Sequence, residues 1–118
     1  MNNEISPFAL MELYVDTMKK CGMFLQKADD DIIEYNIFEE FDIGVISFLH
    51  EQSLVRLENA GLISREIRQL SADLRKRFME LQNTDQWNCE AVRTSDKWEE
   101  ILKISDAINH LLSEKQVV

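Results

Sequence analysis

Apolar residues recur at spacings of three and four through most of the chain, the mark of helices that bury one face. Ser6 can cap free backbone N–H groups, and Pro7 suits a first helical turn because its missing N–H would go unpaired there. Phe8, Met11, Val15, Met18, Gly22 and Leu25 follow on one track, with Leu10, Leu13, Tyr14, Cys21 and Phe24 on a second. Two apolar tracks predict a largely buried first helix ending near Lys27. The pattern leaves open whether its second face meets the core or a second copy.

Residues 29–42 read Asp-Asp-Asp-Ile-Ile-Glu-Tyr-Asn-Ile-Phe-Glu-Glu-Phe-Asp. A short helix from about Asp31 to Phe38 is expected, its aspartates near the positive end of the helix dipole. Ile32, Ile33, Tyr35, Ile37, Phe38 and Phe41 are too many apolar side chains for a free loop, so the segment must pack or bind. Asp42 is read as the cap of the next helix, which runs to about Asn59 with Ile46, Leu49, Ser53, Leu54 and Leu57 inward. Gly44–Phe48 resembles a strand in isolation, but its helical neighbours outvote it. Ala60-Gly61 is a stop signal.

Ser64 caps a helix through about Leu81, with Ile67, Leu70, Leu74, Phe78 and Leu81 in one stripe. Its outer face holds Arg65, Arg68, Arg75, Lys76 and Arg77, and Asp73 is four residues from Arg77, a spacing that allows an ion pair. Residues 82–94 carry no stripe and are read as a loop, with Trp87 as a plug for the core. Ser95 or Asp96 caps the last helix, which runs to about Glu114 on Trp98, Ile101, Leu102, Ser105, Ile108, Leu111 and Leu112. The tail from Lys115 is expected to fray. Residues 1–118 are thus read as one all-α domain, a bundle of four to five helices around a largely buried first helix.

Charge sharpens this picture. The chain carries 22 acids and 13 bases, a net of −9. Residues 1–62 hold 12 acids and 4 bases, while residues 63–118 hold 10 acids and 9 bases, so the excess sits almost wholly in the first half. Such a surface repels phosphate and disfavours direct nucleic-acid binding. The five bases over residues 65–77 lack interleaved aromatics and are diluted by Glu66, Asp73 and Glu80, so they read as a solvated face or as partners for the acidic segment. No apolar run approaches the ~20 residues of a membrane span. With no basic leader and two isolated thiols, Cys21 and Cys89, the protein is expected in the cytoplasm with no membrane association.

The chemistry-bearing residues form no catalytic pattern. His50 and His110 lack paired ligand spacing, so no metal is expected. Neither cysteine has a base in reach by sequence, and the three glycines are isolated, so no phosphate loop or nucleophile elbow is formed. The aspartate run lacks the alternating ligands and central Gly of a calcium loop. The expectation is a non-enzymatic protein without cofactor.

The last third carries Leu74-Arg75, Trp87, Ser95-Asp96-x-Trp98, Ile101, Ser105-Asp106-x-Ile108 and Leu111-Leu112. Over roughly residues 74–112 it resembles the small acidic all-helical immunity proteins of bacterial toxin–immunity systems of the contact-dependent growth inhibition type. The resemblance implies a protein that binds a cognate toxin domain, often a nuclease, and blocks its active site or an essential surface. It carries over no residue role. From the residues themselves, the candidate contacts with a basic partner are Asp29, Asp30, Asp31, Glu34, Tyr35, Phe38, Glu39, Glu40 and Asp42, charges for steering and aromatics for anchoring. Two alternatives share the same acidity. One is a nucleic-acid-mimicking or phage-type inhibitor of a DNA-binding protein. The other is a metal-binding helical-bundle enzyme using His50, which the lack of any Glu-x-x-His pair disfavours. Partner identity, oligomeric state and the choice between the acidic segment and the Trp87 loop as interface stay open at this level.

Overall fold

In a computed structural model, residues 5–116 are described in backbone and residues 5–114 in side chain, and the described chain is all-helical with no strand. Its segments are α1 (Pro7–Lys19), a 3₁₀ turn (Met23–Lys27), α2 (Asp30–Ile33), a π-helical stretch (Glu34–Phe41), α3 (Asp42–Phe48), α4 (Glu51–Asn59), α5 (Arg65–Leu81), α6 (Cys89–Thr94) and α7 (Asp96–Gln116). Helix starts follow local chemistry. Ser6 Oγ accepts from Ala9 N–H, Asp29 from Ile32 N–H and Ser64 from Ile67 N–H, at 3.1, 3.2 and 3.1 Å. At the end of α4, Gly61 takes φ +76°, and Leu62 N–H reaches Leu57 O while Gly61 N–H reaches Glu58 O. Those two bonds close the helix and satisfy carbonyls that would otherwise be orphaned.

Several expectations are corrected. The first helix ends at Lys19 rather than Lys27, and the chain turns through Cys21-Gly22 into the 3₁₀ turn. It is not buried on two faces: Leu10, Tyr14, Thr17 and Met18 point inward, whereas Phe8 is 71% exposed. Each apolar track is split: Met18 and Leu25 of the first and Leu10, Tyr14 and Cys21 of the second are buried, while Phe8 of the first and Leu13 and Phe24 of the second are exposed. The bundle's most extensive packing is instead between α5 and α7. Helical segments are also more numerous than expected. The segment Asp42–Asn59 is not one helix, since His50 is extended at φ −71° and ψ 164° and separates α3 from α4. Ser53 Oγ donates back to Ser47 O at 3.3 Å across that break. The second part of the supposed loop forms α6, capped by Asn88 Oδ1 accepting from Ala91 N–H at 2.8 Å. The helix expected to fray from Lys115 continues in backbone to Gln116, and residues 117 and 118 lie outside the described set.

The acidic segment differs most from expectation. Asp42 is not a cap. Ile33, Glu34, Phe41 and Asp42 all have right-handed helical angles, so residues 30–48 form one unbroken helix. Its centre is underwound: the Asp42 N–H reaches Ile37 O, five residues back. The apolar pattern supplies the reason. Ile33, Ile37, Phe41, Val45 and Leu49 recur every four residues, and all are fully buried. On a 3.6-residue helix that spacing drifts by about 40° per step, or about 160° over the ladder, which would swing Leu49 away from the side Ile33 buries. The π stretch turns less per residue and keeps the five side chains on one line.

The core is one continuous cluster from Leu10 to Leu112. At one end, Phe38, Phe78, Trp87 and Trp98 pack as edge-on or tilted rings with centroids 5.0 to 6.1 Å apart, and Phe41 joins through Phe78 at 5.0 Å. Trp98 Nε1 donates to Gln86 O at 2.6 Å, which ties the residue 82–88 turns to α7. Two polar links stitch α1 to the rest: Tyr14 Oη and Ser71 Oγ are 2.6 Å apart, and Asn109 Nδ2 donates to Met18 O at 2.9 Å.

Candidate functional site

The continuous helix distributes the nine sequence-predicted contacts around its axis rather than gathering them on one face. Asp29 is a cap. Asp30 forms an ion pair with Arg93 of α6, which also donates from Nε to Ala28 O at 3.1 Å. Asp31, Glu34 and Glu39 are exposed. Tyr35, 48% exposed, donates from Oη to Glu40 Oε1 at 2.9 Å, and this bond holds its phenol above the usual range. Lys20 of α1 places its ammonium 5.3 Å from the Tyr35 ring centroid. Phe38 turns inward to Trp87 and Trp98, so it is a packing residue, and Phe41 is fully buried. Asp42 accepts from Gln82 Nε2 at 2.8 Å beside the end of α5, and partial burial raises its carboxyl pKa against that bond.

Trp87 is half-buried in the ring cluster, where the sequence places a plug. Two of the α5 bases form ion pairs, and neither does so with the acidic segment: Arg68 meets Glu58, and Arg77 meets Asp73 at 3.0 Å and also Glu100.

The structure brings together a set the sequence reading missed. α1 and the helix of residues 30–48 run antiparallel and cross at Thr17 and Gly44. They come so close that a Cβ on Gly44 would sit 2.2 Å from Thr17 Oγ1. Beside this crossing lies a groove of about 200 Å³ lined by Leu13, Asp16, Lys20, Glu40, Ile43 and Phe48, with Thr17 and Gly44 as its small-residue floor. Ile43 is 60% exposed and Leu13 38%. A signal for Ile43 and Ile46 existed: both fall off the every-fourth-residue ladder that the same helix buries. No local signal pointed to Leu13, which shares its helix with a buried track.

Cys21 is buried and its thiol is pushed up to about 12 by desolvation. Burial, and then Glu34 at 3.5 Å, push the Cys89 thiol up to about 11, the opposite of the electropositive setting that activates a cysteine. His50 Nε2 lies 3.2 Å from Ser53 Oγ, and exposed His110 lies 3.1 Å from Glu114. Among the described residues, no three His, Cys, Asp or Glu side chains group to hold a metal, and no helix is long and apolar enough to cross a membrane. Compared with models of protein families, with curated proteins and with solved structures, the chain gives no match.

Proposed function

We propose that the protein is a non-enzymatic binding module, an immunity-type protein that captures and neutralises a basic cognate toxin domain through the outer side of its acidic helix. One observation carries this reading: exposed apolar side chains and excess negative charge coincide. Every large apolar side chain that is well exposed among the described residues lies between Ile5 and Val55, the same half that holds a net of −8 over residues 1–62. On the acidic helix, Ile32, Tyr35, Ile43 and Ile46 are interspersed with Asp31, Glu34 and Glu39. What supports a contact surface is not any one exposed apolar group but their concentration on one half of the chain. Acids steer a basic partner into encounter, and apolar groups supply the energy of the contact. A nuclease must present a basic surface to phosphate, which makes it a fitting target.

The test is co-purification with the product of the neighbouring gene, followed by titration of the pair. Glu39→Lys with Glu40→Lys should slow association, weaken binding and reduce its salt dependence while the helical fold stays intact. A neighbouring product that is not captured, or affinity unchanged by the double charge reversal, overturns the reading.

A further inference from the structure

We infer that the groove between α1 and α3 is a socket for one apolar anchor side chain on a basic amphipathic helix of the partner. The inference rests on the binding reading above and deepens it by naming the seat and the kind of segment that fills it.

The dimensions select the occupant. At about 200 Å³ the groove is smaller than the roughly 300–1,000 Å³ of small-molecule sites, and it suits a single large side chain. Its walls are apolar where such a group would rest, on Leu13, Ile43 and Phe48. Its floor is low because Thr17 and Gly44 let the two helix backbones approach closely. Thr17 Oγ1 is already engaged, donating to Leu13 O at 2.9 Å, so the floor presents no unpaired hydroxyl to an apolar guest.

The rim selects the charge. Asp16 and Glu40 stand on opposite walls, and Glu12 and Glu39 are exposed on the same two helices. Lys20 is the single base of the lining, and its ammonium lies over the Tyr35 ring. A helix carrying Leu or Phe with Lys or Arg one turn to either side meets this pattern, since residues three and four apart share a helix face. A second copy of the chain fits poorly, because two acidic rims would then face each other.

The probe is a synthetic amphipathic helix of about 18 residues, leucine on one face and lysine on the other, long enough to be helical. Its controls are a scrambled peptide of equal composition and a version with glutamate for lysine. Binding to the ¹⁵N-labelled protein should move amide signals of Leu13, Thr17, Lys20, Glu40, Ile43 and Gly44 first. Ile43→Ser, at an exposed position, should weaken binding about tenfold or more with an unchanged circular dichroism spectrum. Both control peptides should bind at least about tenfold more weakly. No binding, equal binding of the scrambled peptide, or shifts confined to Asp29–Asp31 overturns the socket. If Glu39→Lys with Glu40→Lys abolishes capture of the neighbouring product while Ile43→Ser does not, the socket fails and the binding function stands. If the peptide fills the groove but no neighbouring product is captured, the socket stands and the immunity reading fails.

Discussion

The helices of residues 5–55 and those of residues 65–114 finish their outer surfaces in opposite ways. In the later half, acids and bases alternate and pair within reach: Arg77 with Asp73 and Glu100, Lys103 with Glu99. Its large apolar side chains are buried or half-buried in the common core. In the earlier half, acids outnumber bases threefold, and Phe8, Phe24, Ile43 and Ile46 stand in solvent. Exposed ion pairs contribute little to stability, so the tidy face of the later half is chiefly a matter of solubility. Unpaired acids favour solubility, but the exposed isoleucines beside them serve neither folding nor solubility. Both halves build the core, but the later one closes its outer surface, as a holding half, while the earlier one leaves apolar groups and excess charge in solvent, as a presenting half.

Removing the largest ring of the holding half should show the strongest effect. Trp98→Ala takes away a fully buried side chain that contacts Phe38, Phe78 and Trp87, and should cost about 3–5 kcal/mol in urea unfolding. That is a large share of a typical domain's ~5–15 kcal/mol. A loss below about 1 kcal/mol would place the mechanical centre elsewhere.

A smaller effect probes the presenting half. Gly44→Ala forces a Cβ against Thr17 and should destabilise by about 1–3 kcal/mol, despite the helix preference for alanine. In a Thr17→Ala background, which removes the two closest atoms, the same change should cost less. A double-mutant cycle that is additive would mean the two helices are not in contact there.

The smallest effect tests one of the polar bonds that join the halves. Tyr14→Phe strands the Ser71 hydroxyl and should cost about 1 kcal/mol at neutral pH. Burial holds the Tyr14 phenol up to about 12, above its ordinary 10. The folded state therefore favours the neutral phenol, and the stability this brings is complete below pH 10 and is lost as pH rises through about 12. Tyr14→Phe should flatten that alkaline decline, and an unchanged decline would assign it to other groups.

Much of the fold is legible residue by residue. Ser6 and Ser64 cap where their side chains reach the right N–H groups, Gly61 ends a helix by adopting a positive φ, and the stripe of Ile67, Leu74, Phe78 and Leu81 is buried as its spacing requires. Less of the candidate site is. Phe38 sits among acids in sequence, yet its partners Trp87 and Trp98 arrive from 49 and 60 residues further on. Asp42 has the composition of a cap, yet the ladder from Ile33 to Leu49 carries helix straight through it.

The sequence alone determined the helical class, most helix starts, and the concentration of negative charge before residue 63, because caps, stripes and charge are local properties. Tertiary structure decided the rest. Only burial in the shared core, where Phe41 meets Phe78, makes a four-residue ladder worth an underwound helix. Only the close crossing of Thr17 and Gly44, which the chain reaches by folding back through the 3₁₀ turn, forms a groove and sets which of the many isoleucines and leucines are left facing water.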